Sequence, residues 1–112
     1  MDQIKEITVG GKPFRLAPLT EIQFGYASAV LREEGREAGI CCAIYESLDN
    51  AHGEGKSPHS VAELQKMNVA DLLEIYIVVC QVSGVTGDFE QLRRIAHTIR
   101  SAGATPITTR LQ

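Results

Sequence analysis

The sequence predicts a mainly α domain of the α+β class: an N-terminal β-hairpin packed on a bundle of about four to five helices. Three observations carry this. Residues from Ile4 to Leu16 alternate in polarity around a Gly10-Gly11 pair, the pattern of two strands joined by a tight turn. From Thr20 onward apolar residues recur at helical spacing, and capping signals stand at Thr20, Ser60 and Asn68. The stretch from Leu72 to Val82 is apolar on nearly every side, as in a helix at the centre of a bundle.

Each element has its own signal. Pro13 cannot donate to a ladder, so its strand belongs at an edge or begins just after it. Two strands alone are marginal in water, and the hairpin must therefore lie on the helices or pair with another chain. Thr20 with Gln23 forms a capping box, and Leu19 with Phe24 has the spacing of a hydrophobic staple. Ile22, Tyr26, Ala29 and Val30 share one face of the helix that follows. Gly35 interrupts it, giving two helices or one kinked helix, and the pattern resumes through Cys41, Ile44, Tyr45 and Leu48.

His52 to Ser57 reads as an exposed loop before a short helix capped by Ser60 and Glu63. Asn68 caps the apolar helix, with Asp71 at its third position and Met67 and Leu72 as a second staple, and Gly84 ends it through a left-handed cap. Asp88 opens a last helix with Phe89, Leu92, Ala96 and Ile99 inward and Arg93, Arg94, His97 and Arg100 outward; Gly103 and Pro106 stop it. The expectation is one domain over residues 1–103, with the hairpin at 4–16 and the helical body at 20–103, followed by a flexible tail at 104–112.

At 112 residues the chain is long enough to bury a core without disulfides or metal. Its longest apolar run, Ile75 to Cys80, is far shorter than the roughly 20 residues a membrane helix needs. Met1-Asp2-Gln3 has neither the basic nor the apolar region of a signal peptide, so the expected compartment is the cytoplasm. Cys41, Cys42 and Cys80 have no framework spacing and read as reduced thiols. With His52, His59 and His97 they form no CxxC or HxxxH pattern, so no metal site is expected.

Catalytic chemistry finds no support either. Ser57 with His59 lies in a Gly-rich polar loop, and Cys80 with His97 would place its sulfur in an apolar face where the thiol stays protonated. Glu33, Glu34 and Glu37 stand beside Arg32 and Arg36 as a solvated, ion-paired face. Gly55-Lys56-Ser57 echoes a phosphate-binding loop, but the earlier glycine is replaced by Asn50 and the preceding strand is missing. The chain reads as no enzyme, with no catalytic, cofactor or metal residues.

Charge is distributed unevenly. Residues 1–90 hold fourteen acids and seven bases, whereas 91–112 hold Arg93, Arg94, Arg100 and Arg110 and no acid. The face of Arg93, Arg94 and Arg100 is the candidate partner-binding site, suited to steering an acidic protein. Nucleic acid is disfavoured by the acidic balance and the lack of interleaved aromatics.

The stretch Ile7-Thr8-Val9-Gly10-Gly11-Lys12-Pro13-Phe14-Arg15-Leu16-Ala17-Pro18-Leu19-Thr20 resembles the opening of bacteriophage tail assembly chaperones, where a hairpin leads through a Pro-Leu-Thr step into the first helix. Asp71-Leu72-Leu73-Glu74 to Val82-Ser83-Gly84-Val85 is similar to the late helix and Ser-Gly turn of that family. The resemblance implies a nonenzymatic protein of a long-tailed phage or prophage that coats the tape-measure protein before the tail tube polymerises and is then released. It also implies a longer frameshifted product, for which residues 104–112 would be a tolerant junction; self-association is expected separately, from the hairpin edge that Pro13 marks as peripheral. The alternative is a structural virion component, such as a tail or head-tail joining protein. A small DNA-binding regulator using Leu92 to Arg100 has less support, because no helix-turn-helix motif precedes that helix.

Overall fold

Strands β1 (Lys5–Val9) and β2 (Lys12–Leu16) pair antiparallel across Gly10-Gly11 in the computed structural model, which describes residues 3–85 and 89–103. Both glycines have positive φ, 60° and 79°, as a two-residue hairpin turn of matching twist requires. Such a turn makes Val9 and Lys12 a hydrogen-bonded pair, so the next pair, Thr8 and Pro13, turns its backbone polar groups outward. Pro13 therefore removes no ladder bond, which is why a proline is tolerated mid-strand.

One face of the hairpin is core. Val9, Phe14 and Leu16 are buried, and β1 and β2 rest on α4 while β2 also packs on α2. Complete burial of Phe14 and Leu16 contributes roughly 1.5 to 3 kcal/mol apiece. That anchors a sheet too small to persist alone.

Among the described residues five helices follow: α1 (Glu21–Glu34), α2 (Arg36–His52), α3 (Val61–Gln65), α4 (Val69–Val82) and α5 (Glu90–Gly103). Thr20 and Gln23 form the full reciprocal capping box: the Thr20 side chain accepts from the Gln23 N–H at 3.1 Å and Gln23 Oε1 accepts from the Thr20 N–H at 2.9 Å. Gly35, with φ of 108°, splits α1 from α2 into two antiparallel neighbours rather than one kinked helix. His52, expected in the loop, is the last residue of α2.

The other two caps differ from expectation in detail. Ser60 accepts from the Glu63 N–H at 3.1 Å, but the Glu63 carboxylate turns to His59 and Lys12 instead of back to the cap. Asn68 accepts from the Ala70 N–H at 2.7 Å, and Asp71 reaches across to Arg100. At Glu63 the neighbouring His59, helped by distant Lys12, outcompetes the reciprocal bond, and at Asp71 distant Arg100 engages the carboxylate.

α4 is the hub. It packs against β1, β2, α2 and α5, and Ala70, Leu72, Leu73, Ile75, Ile77, Val79 and Cys80 are buried along it. Its end is a Schellman motif: the Val85 N–H donates to the Cys80 carbonyl at 3.0 Å and the Gly84 N–H to Gln81 at 3.1 Å, with Gly84 at φ 85°. Leu92, Ala96 and Ile99 of α5 pack on the core as expected. The expected start at Asp88 and the tail at 104–112 lie outside the described residues.

The segment between hairpin and helices is held by side chains from distant elements. Ser47 Oγ donates to the Ala17 carbonyl at 2.7 Å and accepts the Ala17 N–H at 3.0 Å; Asn50 Nδ2 donates to the Pro18 carbonyl at 2.9 Å; Ser83 Oγ accepts the Leu19 N–H at 2.9 Å. Backbone polar groups that make no helix or ladder bond are thus paired. The path from β2 into α1 is fixed by α2 and by the end of α4.

Candidate partner-binding site

Among the described residues α1 has one substantial neighbour, α2. Its apolar residues nevertheless occupy two opposite faces. Phe24, Ala27 and Leu31 lie on the side toward α2, where Ala27 is buried and Phe24 packs on the core. The stripe Ile22, Tyr26, Ala29 and Val30 lies on the other side. Ile22 is 84% and Tyr26 60% exposed, so a face that periodicity marks as apolar is here uncovered at its N-terminal half.

That face borders a trough. Tyr26 and Val30 of α1, Ala38, Cys42 and Tyr45 of α2, and Val61 of α3 line a groove of about 280 Å³. A second groove of about 340 Å³ runs on past Glu37, Met67 and Leu72, and the two share Glu34, Ala38, Cys41 and Gln65. Along the floor Tyr26, Val30, Ala38, Tyr45 and Val61 alternate with the thiols of Cys41 and Cys42 and with Gln65. The rim carries Glu34, Glu37 and Glu46.

The two thiols on the floor register that charge. Burial first, then Glu37 and Cys42, raises the Cys41 pKa; burial first, then Glu46 and Glu34, raises that of Cys42. Both are held as thiols, which makes them poor nucleophiles. The trough suits docking of an apolar surface.

The three arginines expected to form one partner face have different surroundings. Arg100 Nη2 lies 2.6 Å from both Asp71 Oδ1 and Glu74 Oε1, so it ties α5 to α4. Arg94 is 3.8 Å from Glu90 one turn away and largely exposed. Arg93 lines a groove of about 300 Å³ between α4 and α5 with Ile77, Val78 and Ala96. Sequence spacing put Arg100 on the outer face of α5, but its long side chain crosses to the acidic stripe of α4.

His59 is the residue that sequence reasoning missed. It is buried, stacks on Phe14 with ring centroids 4.3 Å apart, and places Nδ1 2.7 Å from Glu63 Oε2 and Nε2 2.8 Å from the Pro13 carbonyl. Both ring nitrogens face oxygen acceptors, one on α3 and one on β2, so the ring bridges the two elements. The bond to Pro13 also covers the outward edge of β2, while among the described residues the outward edge of β1 pairs with no further strand. A proline at a non-hydrogen-bonded strand position, with its carbonyl facing outward, was the available signal.

The catalytic pairings weighed from sequence are not assembled. Ser57 Oγ donates to the His59 carbonyl at 2.8 Å and accepts its N–H at 3.1 Å, while the ring is engaged elsewhere. Cys80 is buried, its thiol pKa raised by burial, and His97 is exposed on α5. Among the described residues no three His, Cys, Asp or Glu side chains converge as metal ligands would, and no helix is long and apolar enough to cross a membrane. Comparison with protein-family models, curated proteins and solved structures gives no match.

Proposed function

We propose that this chain is a phage tail assembly chaperone that binds the tape-measure protein in the host cytoplasm during tail morphogenesis and does not remain in the particle. The observation that carries the reading is the uncovered apolar stripe of Ile22 and Tyr26 beside the α1–α2–α3 trough. A tape-measure protein is a long helical chain with apolar stripes exposed before assembly, and a groove between helices shields such a stripe by receiving it. The resemblance of the stretches from Ile7 to Thr20 and from Asp71 to Val85 to that family supports the same reading.

Self-association belongs to this reading, because a tape measure is covered by many small copies. The outward edge of β1 is its candidate surface. Thr8→Pro removes an outward N–H from that edge and should reduce oligomer size in sedimentation without loss of the fold.

Co-expression is the direct test. The wild-type chain should keep its cognate tape-measure protein soluble, and Ile22→Asp with Tyr26→Asp should lose that effect while the circular dichroism stays native. Mass spectrometry of purified particles should find the chain absent. Stoichiometric amounts in mature tails would establish the structural-component alternative instead.

A further inference from the structure

We infer that the α1–α2–α3 trough docks a basic amphipathic helix, its apolar stripe against Tyr26, Val30 and Val61 and its flanking lysines or arginines against Glu34, Glu37 and Glu46. The inference names the partner's chemistry and rests on the reading that this face receives a helix. It reverses the polarity expected from sequence, where Arg93, Arg94 and Arg100 were to meet an acidic partner.

Charge complementarity carries it. α1, α2 and α3 together hold seven carboxylates against two guanidinium groups, Arg32 and Arg36. Neither guanidinium lines the trough, and among the described residues Glu34 and Glu37 take part in no ion pair. Glu46 accepts from Gln23 Nε2 at 2.9 Å, a neutral donor that leaves its charge uncompensated. The field reaches the floor, since Glu37 acts on the buried Cys41 thiol and Glu46 and Glu34 on the half-buried Cys42 thiol. An acidic or neutral helix would bring its flanks against this rim unpaired, whereas lysine or arginine flanks meet it with opposite charge.

Shape agrees. Ile22, Tyr26 and Val30 stand four residues apart, so they form one ridge along α1, and the trough runs beside it into the cleft next to Met67 and Leu72. A partner helix laid along that line presents its stripe inward and its flanking residues to both rims.

Two synthetic helices with the same leucine stripe, one flanked by lysine and one by glutamate, supply the test by fluorescence anisotropy on the full chain. The lysine-flanked helix should bind about tenfold more tightly at low salt, the sum of a few exposed pairs, and the margin should shrink in 0.5 M salt as roughly 10 Å screening contracts. Glu34→Gln, Glu37→Gln and Glu46→Gln together should remove the margin, and Tyr26→Asp should weaken binding of both helices. Equal binding of the two helices, or lysine-helix binding that ignores Tyr26→Asp, overturns the inference. So does sedimentation in which Tyr26→Asp dissociates an oligomer of this chain, because a second copy then fills the trough. Tape-measure co-expression separates this from the functional reading. Rescue that is indifferent to the glutamine variants leaves the chaperone standing and the basic helix overturned, whereas tight lysine-helix binding without rescue does the opposite.

Discussion

Leu19 donates its backbone N–H to Ser83 Oγ at 2.9 Å, tying the residue before the α1 cap to the residue that ends α4. Two parallel devices act on the same segment, Ser47 on Ala17 and Asn50 on Pro18. The direction in which α1 leaves the hairpin is therefore set by side chains of α2 and α4.

Loss of these hydroxyls should be unequal. Ser83→Ala removes one half-buried acceptor and should cost about 0.5 to 1.5 kcal/mol. Ser47→Ala should cost more, about 1 to 3 kcal/mol, because Ser47 is completely buried and the Ala17 carbonyl loses its donor. The Ala17 N–H keeps a second acceptor, the Ser47 carbonyl at 3.3 Å, which limits the damage. Urea unfolding of the two variants checks the order, and equal losses would mean the Ala17 carbonyl finds water.

Gly39 sets how closely α2 approaches α1. A Cβ there would stand 2.5 Å from Leu31 Cβ and 2.7 Å from Leu31 Cα. Alanine favours a helix over glycine by about 1 kcal/mol, but the obstacle is backbone and cannot rotate away. Gly39→Ala should therefore give a net loss of roughly 1 kcal/mol or more in urea titration. Leu31→Ala should not rescue it, since the offending Cβ remains; a stabilised Gly39→Ala protein would show that α1 shifts freely on α2. Such a shift would also alter the trough that the two helices line.

Local rules recovered much of this fold because many of its decisions are local. The Thr20-Gln23 box, the Gly10-Gly11 turn, the Gly35 break and the Gly84 cap each depend on residues within one turn of one another. The apolar surround of α4 identified the hub for a similar reason, since a helix without a polar face has to be enclosed. The site was less legible. Periodicity marks Ile22 and Tyr26 as one face but is silent on whether another element covers it, and among the described residues α2 is the main neighbour of α1. The partners of His59 and Arg100 lie beyond any local rule, since Pro13 is 46 residues from His59 and Asp71 is 29 from Arg100.

The His59-Glu63-Lys12 cluster makes the seam between hairpin and α3 sensitive to acid. The hydrogen bond from His59, with a lesser contribution from Lys12, holds the Glu63 carboxyl below its ordinary range. A carboxylate depressed in the folded state stabilises fully above its unfolded pKa, near about 4.3, and the contribution is lost as pH falls through the folded value. The melting temperature of the wild type should exceed that of Glu63→Gln at about pH 6, and the gap should close on acidification below the usual carboxylate range. A gap that stays constant down to about pH 3 would mean that Glu63 acts by shape alone.

Arg100 should behave as a structural residue and Arg93 and Arg94 as surface ones. The Arg100 guanidinium meets Asp71 and Glu74 at 2.6 Å each, which raises its pKa, while its partly exposed position lets solvent screen the gain. Arg100→Gln should leave the β1–α4 body intact but free α5, seen as faster amide exchange confined to α5. Reversing Arg93 and Arg94 to glutamate should leave that exchange unchanged. The contrast follows from what each side chain touches: Arg100 joins two helices, whereas Arg94 reaches only Glu90 of its own helix and Arg93 borders an open groove. If all three substitutions loosen α5 alike, its docking depends on overall charge between α4 and α5, and the paired geometry at Asp71 and Glu74 is incidental.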